Sequence, residues 1–469
     1  MNNVNGINGI KSMKSRLVSF FVLLGVAVCI VILFSAASPE VLVMRKDASG
    51  QRVAVRDFPY PYSAMVALVN DCDNTAPRSF ERYHRFLNTF DQTIYGAGLG
   101  LDISDSFFAY TAAADYNSVM TYFLGVDPGE PKDARRIERY IRAGWIDALH
   151  TYGDFSILQA PDEEGSGGGA SLFTRELALA AFQSLKSAGI FPIVWTDHGN
   201  EGNVQNIGSY GFEYSSRYKR GDSLLSQEYY HADATLAGGV KYVWDAKSNN
   251  NFGYEFPMFA RTLRDGRKVW SFSRYTGESG IFGDVTWDWY PERLRYTLTE
   301  ERLSELVRKR QYGLFAQHLG FYGEDYIFDS EDVAALRRLA SYQHEQGAIL
   351  VARTSRLLEY AVARKFVSYT AYSAAGAASE TNTAADQSTN LYIDIISIGD
   401  PLFPDPEPML DRVRGLTFYC DDPSRAALLL CGAPIDESEI VRNTPDETGR
   451  PSIAIRWYEH DAVDYSDFG

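Results

Sequence analysis

Short apolar runs alternate with amphipathic stretches along the middle of the chain. Residues 64–69, AMVALV, end abruptly in the polar sequence NDCDNT, a pattern typical of a buried parallel strand. The remaining predicted strands lie at 98–103, 145–150, 191–196, 240–244, 312–318 and 348–351, and the predicted helices at 77–89, 175–188, 331–346 and 355–363. This alternation predicts an α/β fold, most simply a (β/α) barrel over residues 61–372.

The pattern changes after residue 372. Residues 373–389 are rich in Ala, Ser and Thr and indicate a connector. Four short predicted strands separated by turn signals follow it, at 391–398, 416–420, 426–431 and 452–457. We therefore expect residues 373–469 to form a linker and a small all-β domain of the sandwich type.

The N-terminal region carries a membrane signal. Residues 17–34 form an uncharged, largely apolar run, and at ~1.5 Å per residue such a helix reaches about 27 Å, close to the hydrocarbon thickness of a bilayer. Three basic residues lie within residues 1–16, which predicts that this tail is cytoplasmic and that the rest of the chain is extracytoplasmic. We expect a single-pass protein of the cell membrane.

Two further features belong to this region. Residues 35–60 are predicted to be a polar tether between the anchor and the barrel. The small residues Ser35, Ala36 and Ala37 would also suit a signal-peptide cleavage site, so removal of the hydrophobic segment is the alternative to an uncleaved anchor.

Charge and cysteine content exclude two classes of protein. The chain of 469 residues has 45 Lys and Arg against 61 Asp and Glu, a net charge of −16, without a basic run. Such a chain is a poor partner for nucleic acid. Four cysteines are too few for a disulfide-built scaffold. Cys420 and Cys431 each end a predicted strand, which leaves a disulfide between them and two free thiols as alternatives.

Polar side chains follow two of the predicted strands. Asp71 and Asp73 come directly after the first strand, and His150 ends another, with Asp154 four residues later. Two neighbouring carboxylates repel each other unless a cation or a proton offsets their charge. Because catalytic groups of α/β barrels lie at the carboxyl ends of strands, we expect these residues to form a divalent metal site. Capping of the following helix by the aspartates is the alternative.

These motifs resemble those of NodB-type polysaccharide deacetylases, remotely and over residues 60–370. The sequence NDCDNT is similar to the family's first motif, which normally has two adjacent aspartates, and HTYGD at 150–154 is similar to its second motif. The strand ending at His318 resembles the late strand that carries the family's general acid. Two departures stand out: Cys72 separates the aspartates, which alters which of them faces the metal, and Asp154 replaces a histidine.

The resemblance implies a distorted (β/α) barrel, a role for each motif residue and a function. Asp73, His150 and Asp154 would bind a divalent metal ion, with zinc as the expected ion, Asp71 would act as general base and His318 as general acid. The implied reaction removes N-acetyl groups from an extracytoplasmic polysaccharide. A glycoside hydrolase on the same barrel, or a non-catalytic glycan-binding or assembly protein, are the alternatives.

Other residues are candidates for contact with the substrate. His198, Asn200 and Asn203 lie in a polar loop after a predicted strand, where they would suit sugar hydroxyls; His198 is also a candidate third metal ligand. Arg274 would orient a catalytic carboxylate or bind an anionic glycan, with a solvated surface arginine as the alternative. His231, near Asp233, belongs either to the site or to the start of a helix.

Overall fold

The computed structural model describes residues 45–46, 52–111, 119–155, 172–198, 203–208, 219–245, 250–279, 285–323, 327–375 and 389–459. Lys46–Gly469 forms one compact unit. The predicted cytoplasmic tail, the predicted anchor at 17–34 and Asn200 lie outside the described residues. No helix in the described ranges is long and apolar enough to cross a bilayer.

Eight α-helices are formed within the described residues. They are α1 (Pro77–Asn88), α2 (Ala134–Arg142), α3 (Arg175–Ser187), α4 (Ala232–Ala237), α5 (Leu294–Thr297), α6 (Glu300–Lys309), α7 (Ser330–His344) and α8 (Thr354–Phe366). Four single-turn 3₁₀ helices lie at Pro291–Arg293, Leu410–Arg412, Pro423–Arg425 and Glu437–Glu439.

The strands of the described residues fall into one large sheet and several smaller ones. Before the first helix lie β1 (Arg45–Lys46), β2 (Arg52–Val55) and β3 (Ala64–Asn70). The middle of the chain has β4 (Gln92–Thr93), β5 (Gly96–Ala97), β6 (Ser104–Tyr110), β7 (Thr121–Phe123), β8 (Ile146–Leu149), β9 (Val194–Thr196), β10 (Tyr242–Trp244), β11 (Met258–Thr262), β12 (Lys268–Phe272), β13 (Gly277–Ser279), β14 (Val285–Trp287), β15 (Tyr312–Gln317) and β16 (Ile349–Val351). The last part has β17 (Val367–Ala375), β18 (Thr389–Ile398), β19 (Thr417–Tyr419), β20 (Ala426–Leu430), β21 (Ala433–Pro434), β22 (Ile440–Asn443) and β23 (Ser452–Ile455).

A ten-stranded sheet organises the molecule. Its order is β11-β12-β10-β9-β8-β6-β3-β15, with β7 beside β6 and β16 beside β3, and every pair is parallel except the β11–β12 hairpin. The mixed α/β class predicted from the alternation is therefore confirmed. All seven residues of β3 are buried, which explains why the first six form an unbroken apolar run.

The edge strand β15 is also contacted from its free side. The backbone N–H of Tyr275, just after β12, donates to Leu314 O over 2.7 Å, and Ala316 N–H donates to Tyr275 O over 2.9 Å. These two bonds form an isolated parallel bridge between Tyr275 and Phe315. No continuous strand ladder closes the sheet among the described residues.

The two faces of the sheet bury different cores. On β3, Val66 and Leu68 pack with helix residues such as Phe80 and Leu336. The alternate residues of β3 belong to a second core, together with the C-terminal strands. Side chains along a strand alternate between its faces, so one parallel sheet supports both cores.

The strand predicted at 98–103 is wrong. The strand begins at Ser104. Residues 98–101 instead form a loop that runs back along the end of α1, and their N–H groups donate to carbonyls of the last turn of α1 and of the residues just after it. Leu99 N–H donates to Phe86 O and Leu101 N–H to Leu87 O, both over 2.8 Å. A side chain at Gly98 would lie 2.2 Å from Thr89 O, so only glycine fits this close approach. The true strand was hidden because it starts with the polar sequence Ser-Asp-Ser.

The C-terminal strands form two sheets that include residues from outside the predicted β domain. β17, β18, β20 and β21 form one sheet, whereas β19 pairs with β23 and with β2. Residues 52–55 therefore form a strand rather than a tether. Cys420 and Cys431 follow strands of different sheets and are both free thiols, so a disulfide between them is excluded in this structure.

Arg56 fastens the N-terminal segment to the C-terminal sheet. Its side chain is fully buried, and its Nε donates to Asp446 Oδ2 over 3.0 Å. Its Nη atoms donate to the carbonyls of Phe58 and Pro61, over 3.0 and 3.1 Å. Burial raises the pKa of Asp446, but hydrogen bonds from Thr448, Tyr419 and Arg56 outweigh it and hold that pKa well below its ordinary value.

We expect Arg56→Gln to lower the free energy of unfolding by about 3–5 kcal/mol, because it leaves Asp446 as a buried charge without its cation. Urea unfolding at pH 7.5 measures the change. The control is Arg308→Gln, which removes an exposed pair with Glu305 on α6 and is expected to cost under about 0.5 kcal/mol. Equal losses for the two variants would contradict this role of Arg56.

Candidate metal centre

The side chains of the candidate site share one face of the central sheet. Val69, Ala148, Val194, Phe272 and Leu314 belong to the core on that face. Residues two or four positions further along each strand lie on the same face, just past the end of the strand. They are Asp71, His150, His198, Arg274 and His318. The period of a strand therefore brings these five residues together from five parallel strands.

Asp73, His150 and His198 form the tightest group. One donor atom from each lies within 4.8 Å of the others, and all three residues are buried. His150 Nε2 is 3.3 Å from Asp73 Oδ2, and His198 Nδ1 is 3.1 Å from Asp73 Oδ1. The two ring nitrogens, His198 Nδ1 and His150 Nε2, are 2.8 Å apart.

This group fits a divalent cation. Ligand bonds of ~2.0–2.1 Å give neighbouring ligand atoms about 2.9 Å apart in an octahedron and about 3.3 Å apart in a tetrahedron. The observed separations of 2.8–3.3 Å lie close to this range. Asp73 Oδ2 is buried and makes no well-aligned hydrogen bond among the described residues, although His150 Nε2 and His318 Nε2 lie 3.3 and 3.1 Å away, which leaves it available to a cation.

Asp154, predicted as the third ligand, lies outside this group, and His198 takes its place. The Asp154 carboxylate is fully buried, with Oδ1 3.3 Å from His198 Nε2, the nitrogen that faces away from Asp73. A carboxylate on the second nitrogen of a metal-binding histidine fixes its tautomer and its orientation. Burial lowers the pKa of His198, but the charge of Asp73, together with the hydrogen bond and charge of Asp154, outweighs burial and raises it to about 9.

Asp71 and His318 border the group on one side. Asp71 Oδ2 is 2.7 Å from Arg274 Nη2 and 3.8 Å from His318 Nε2, which is itself 3.1 Å from Asp73 Oδ2. Burial raises the pKa of Asp71, but Arg274, His150 and His318 outweigh it, so the pKa lies below its ordinary value. Asp71, Asp73 and His318 form a second group of potential ligands.

Arg274 is buried and packs against an aromatic ring. Its guanidinium carbon lies 3.4 Å from the centre of the Trp244 ring, and only 3% of the residue is exposed. Of the predicted alternatives, orientation of a carboxylate is the one that these contacts match. Its contact with an anionic glycan stays a prediction.

Cys72 does not turn either aspartate away from the site. Its side chain is fully buried, and its backbone N–H donates to Ser106 Oγ over 3.2 Å. Burial, followed by the charges of Asp73 and Asp105, raises the pKa of the Cys72 thiol well above its ordinary value. Because one residue separates Asp71 from Asp73, both side chains reach the histidines.

Two asparagines, Asn203 and Asn206, contact the backbone of His198. Asn203 donates from Nδ2 to His198 O over 2.8 Å and accepts from Phe155 N–H over 3.0 Å. Asn206 Nδ2 also donates to His198 O, over 3.0 Å. Both ends of the Asn203 amide thus bond to backbone groups, of His198 and of Phe155, and its predicted contact with substrate stays a prediction.

His231 and Asp233 lie outside the two groups of potential ligands. Asp233 forms a two-point ion pair with Arg175, both bonds 2.7 Å long. His231 Nε2 lies 2.6 Å from Gln205 O and Nδ1 lies 2.7 Å from the Thr235 hydroxyl. Burial lowers the pKa of His231 to about 4, so the ring makes its contacts with Gln205 and Thr235 as a neutral group.

Two aromatic residues of the site were not predicted from the sequence. The Phe108 ring lies 4.9 Å from that of His150 and 5.2 Å from that of His198, and Trp244 lies under Arg274. Trp244 ends a predicted strand, and this position could have indicated that it belongs to the site. Phe108 lies in the strand that was predicted six residues too early, so no signal pointed to it.

Comparison of the chain with family models, with curated proteins and with solved structures finds no match. The resemblance to polysaccharide deacetylases therefore rests on the motifs of the sequence.

We expect Asp154→Asn to weaken zinc binding about 10- to 100-fold, because it removes the charge that orients His198. Competition with a chromophoric chelator measures the dissociation constant. Asp233→Asn removes a carboxylate that pairs with Arg175 and serves as the matched control. Unchanged zinc affinity in Asp154→Asn would contradict the assigned role.

The buried His231 predicts a pH dependence of stability in chelator-treated protein. Its folded pKa of about 4 lies below the unfolded value of ~6.5, so the unfolded chain takes up the proton first as the pH falls. The contribution of His231 to the free energy of unfolding is complete above pH ~6.5. It is lost as the pH falls towards 4, by up to about 3 kcal/mol.

Urea unfolding of wild type and His231→Gln at pH 7.5 and pH 4.5 measures this contribution. The variant is expected to be less stable at pH 7.5 and to lose less stability on acidification. His344→Gln, at an exposed position of α7, is expected to lose as much stability between pH 7.5 and pH 4.5 as the wild type does. An equal fall in His231→Gln and wild type would contradict the prediction.

Proposed function

We propose that this protein is a metal-dependent hydrolase that removes N-acetyl groups from an extracytoplasmic polysaccharide. The observation that carries the proposal is one buried cluster: Asp73, His150 and His198 as a ligand group, directly beside Asp71 and His318. Two imidazoles and a carboxylate are a common ligand set of catalytic zinc. Zinc is accordingly the proposed ion.

The charge of the site favours one divalent cation. The carboxylates of Asp71, Asp73 and Asp154 carry three negative charges, and the guanidinium of Arg274 offsets one of them. Two negative charges remain in a region sheltered from water, where uncompensated charge is costly. One divalent ion compensates them, whereas a second would leave an equal positive excess.

Each neighbouring residue has a distinct proposed role. A divalent ion bound here supplies Lewis-acid polarisation of an acyl carbonyl and makes a bound water more acidic. Asp71 is kept ionised by Arg274, and its Oδ1 has no hydrogen-bond partner among the described residues, so it can accept a proton as general base. His318, with 14% of its side chain exposed, would deliver a proton to the departing amine.

The proposal includes the fold and the cellular location of the family that the motifs resemble. The bridge between Tyr275 and Phe315 supports a distorted barrel, because it joins the backbone after β12 to the other edge of the sheet. The membrane anchor at residues 17–34 and a polysaccharide substrate complete the proposal. Retention of the full-length chain in membranes after alkaline extraction tests the anchor.

The activity test uses purified protein with defined zinc content and N-acetylated oligosaccharides of several types. Zinc-loaded protein is expected to release acetate, and chelation is expected to abolish the release. His150→Ala and His198→Ala are expected to lose both zinc and activity. Asp71→Asn is expected to keep zinc while its kcat falls about 10²- to 10⁴-fold, because the base is lost.

His344→Ala is the matched histidine control, since it lies on the exposed part of α7, and it is expected to keep zinc and activity. Activity that survives complete removal of metal would overturn the proposal. Release of reducing ends without acetate would instead indicate a glycoside hydrolase.

A further inference from the structure

A further buried carboxylate lies behind the candidate metal centre. Asp105, on β6, is 1% exposed and belongs to neither group of potential ligands. Its Oδ2 accepts from the Tyr83 hydroxyl over 2.5 Å and lies 3.4 Å from His84 Nε2, while its Oδ1 accepts from Ser106 N–H over 3.1 Å. Helix α1 thus secures Asp105 from the side away from the metal centre.

Asn70 connects this carboxylate to the segment that carries His318. Asn70 Nδ2 donates to Asp105 Oδ2, and Asn70 Oδ1 accepts from the backbone N–H of Leu319 over 2.8 Å. The amide is 3% exposed and uses a donor and an acceptor at once. Neither a carboxylate nor an aliphatic side chain at this position offers both.

The orientation of His318 depends on such backbone contacts. Its ring Nδ1 is buried and has no hydrogen-bond partner among the described residues, in contrast to His198, which has contacts on both nitrogens. The backbone of His318 is held on both sides, by His318 N–H to Trp289 O over 2.9 Å and by Leu319 N–H to Asn70. The ring also lies against Trp289, with centres 4.4 Å apart.

We propose that Asn70 is a positioning residue that sets His318 against Asp71 and Asp73, with Asp105 as its fixed support. The role of His318 as an acid belongs to the proposed function, and this part of the inference rests on it. The positioning of His318 by Asn70 rests on the hydrogen bonds alone. Asn70 directly precedes Asp71, so the side chain that holds the acid belongs to the strand that carries the base. A small displacement between reacting groups is enough to slow an enzyme strongly.

The kinetic test compares Asn70→Ala with Asn88→Ala. Asn88 is a buried asparagine of α1 whose amide contacts His84 and Ile103 at the other end of the same network. Asn70→Ala is expected to lower kcat about 10- to 100-fold with little change in KM or zinc content. Asn88→Ala is expected to keep kcat within about twofold, even where its stability falls comparably.

A second measurement does not depend on activity. Nitrogen-15 spectra of zinc-loaded protein, with the His318 ring assigned from His318→Gln, report the tautomer and the mobility of that ring. They are expected to change in Asn70→Ala and to match wild type in Asn88→Ala. If no substrate is turned over, this result tests the positioning by itself. Unchanged His318 spectra in Asn70→Ala, or equal changes in both variants, would overturn the inference.

Discussion

Two buried carboxylates, Asp71 and Asp73, impose the main physical constraint on this molecule. They are two residues apart and at most 3% exposed, so burial and mutual repulsion both oppose their ionised forms. The surrounding bases reverse that balance and hold the pKa of both below its ordinary value, Asp73 furthest. Four other parallel strands, β8, β9, β12 and β15, are each followed by a base or a guanidinium that reaches this point: His150, His198, Arg274 and His318.

Polar contacts hold these bases in position at the carboxyl edge of an otherwise apolar sheet. A buried Lys219–Asp197 pair, 2.9 Å apart, lies beside His198, and Lys219 also donates to Asp245 O after β10. Asp105 and Ser106 support the end of β3 from β6. Buried polar groups of this kind stabilise a structure only when they are well paired, so the arrangement favours one geometry of the site over near alternatives.

The face of the sheet that carries the candidate site is covered, below the site, by strands that are distant in sequence. β2 precedes the central sheet and pairs with β19, more than 350 residues later, and Arg56 joins the two regions through Asp446. The C-terminal strands and the face of β3 that carries Met65, Ala67 and Val69 share one core. Loss of the C-terminal strands would therefore expose the interior of the sheet that carries the candidate metal centre.

Local pattern determined much of this molecule. The run AMVALV requires burial on both faces, the amphipathic stretches require helices beside it, and polar residues at the ends of parallel strands must meet at one edge. These relations gave the α/β class, the parallel sheet and the approach of Asp71, Asp73, His150 and His318. The tertiary structure decided what depends on distance in space: His198 rather than Asp154 in the group of potential ligands, the strand at Ser104–Tyr110, and β2 paired with the C-terminal sheet. Periodicity fixes which face a side chain lies on, whereas the choice of partner depends on packing and charge between residues far apart in the chain.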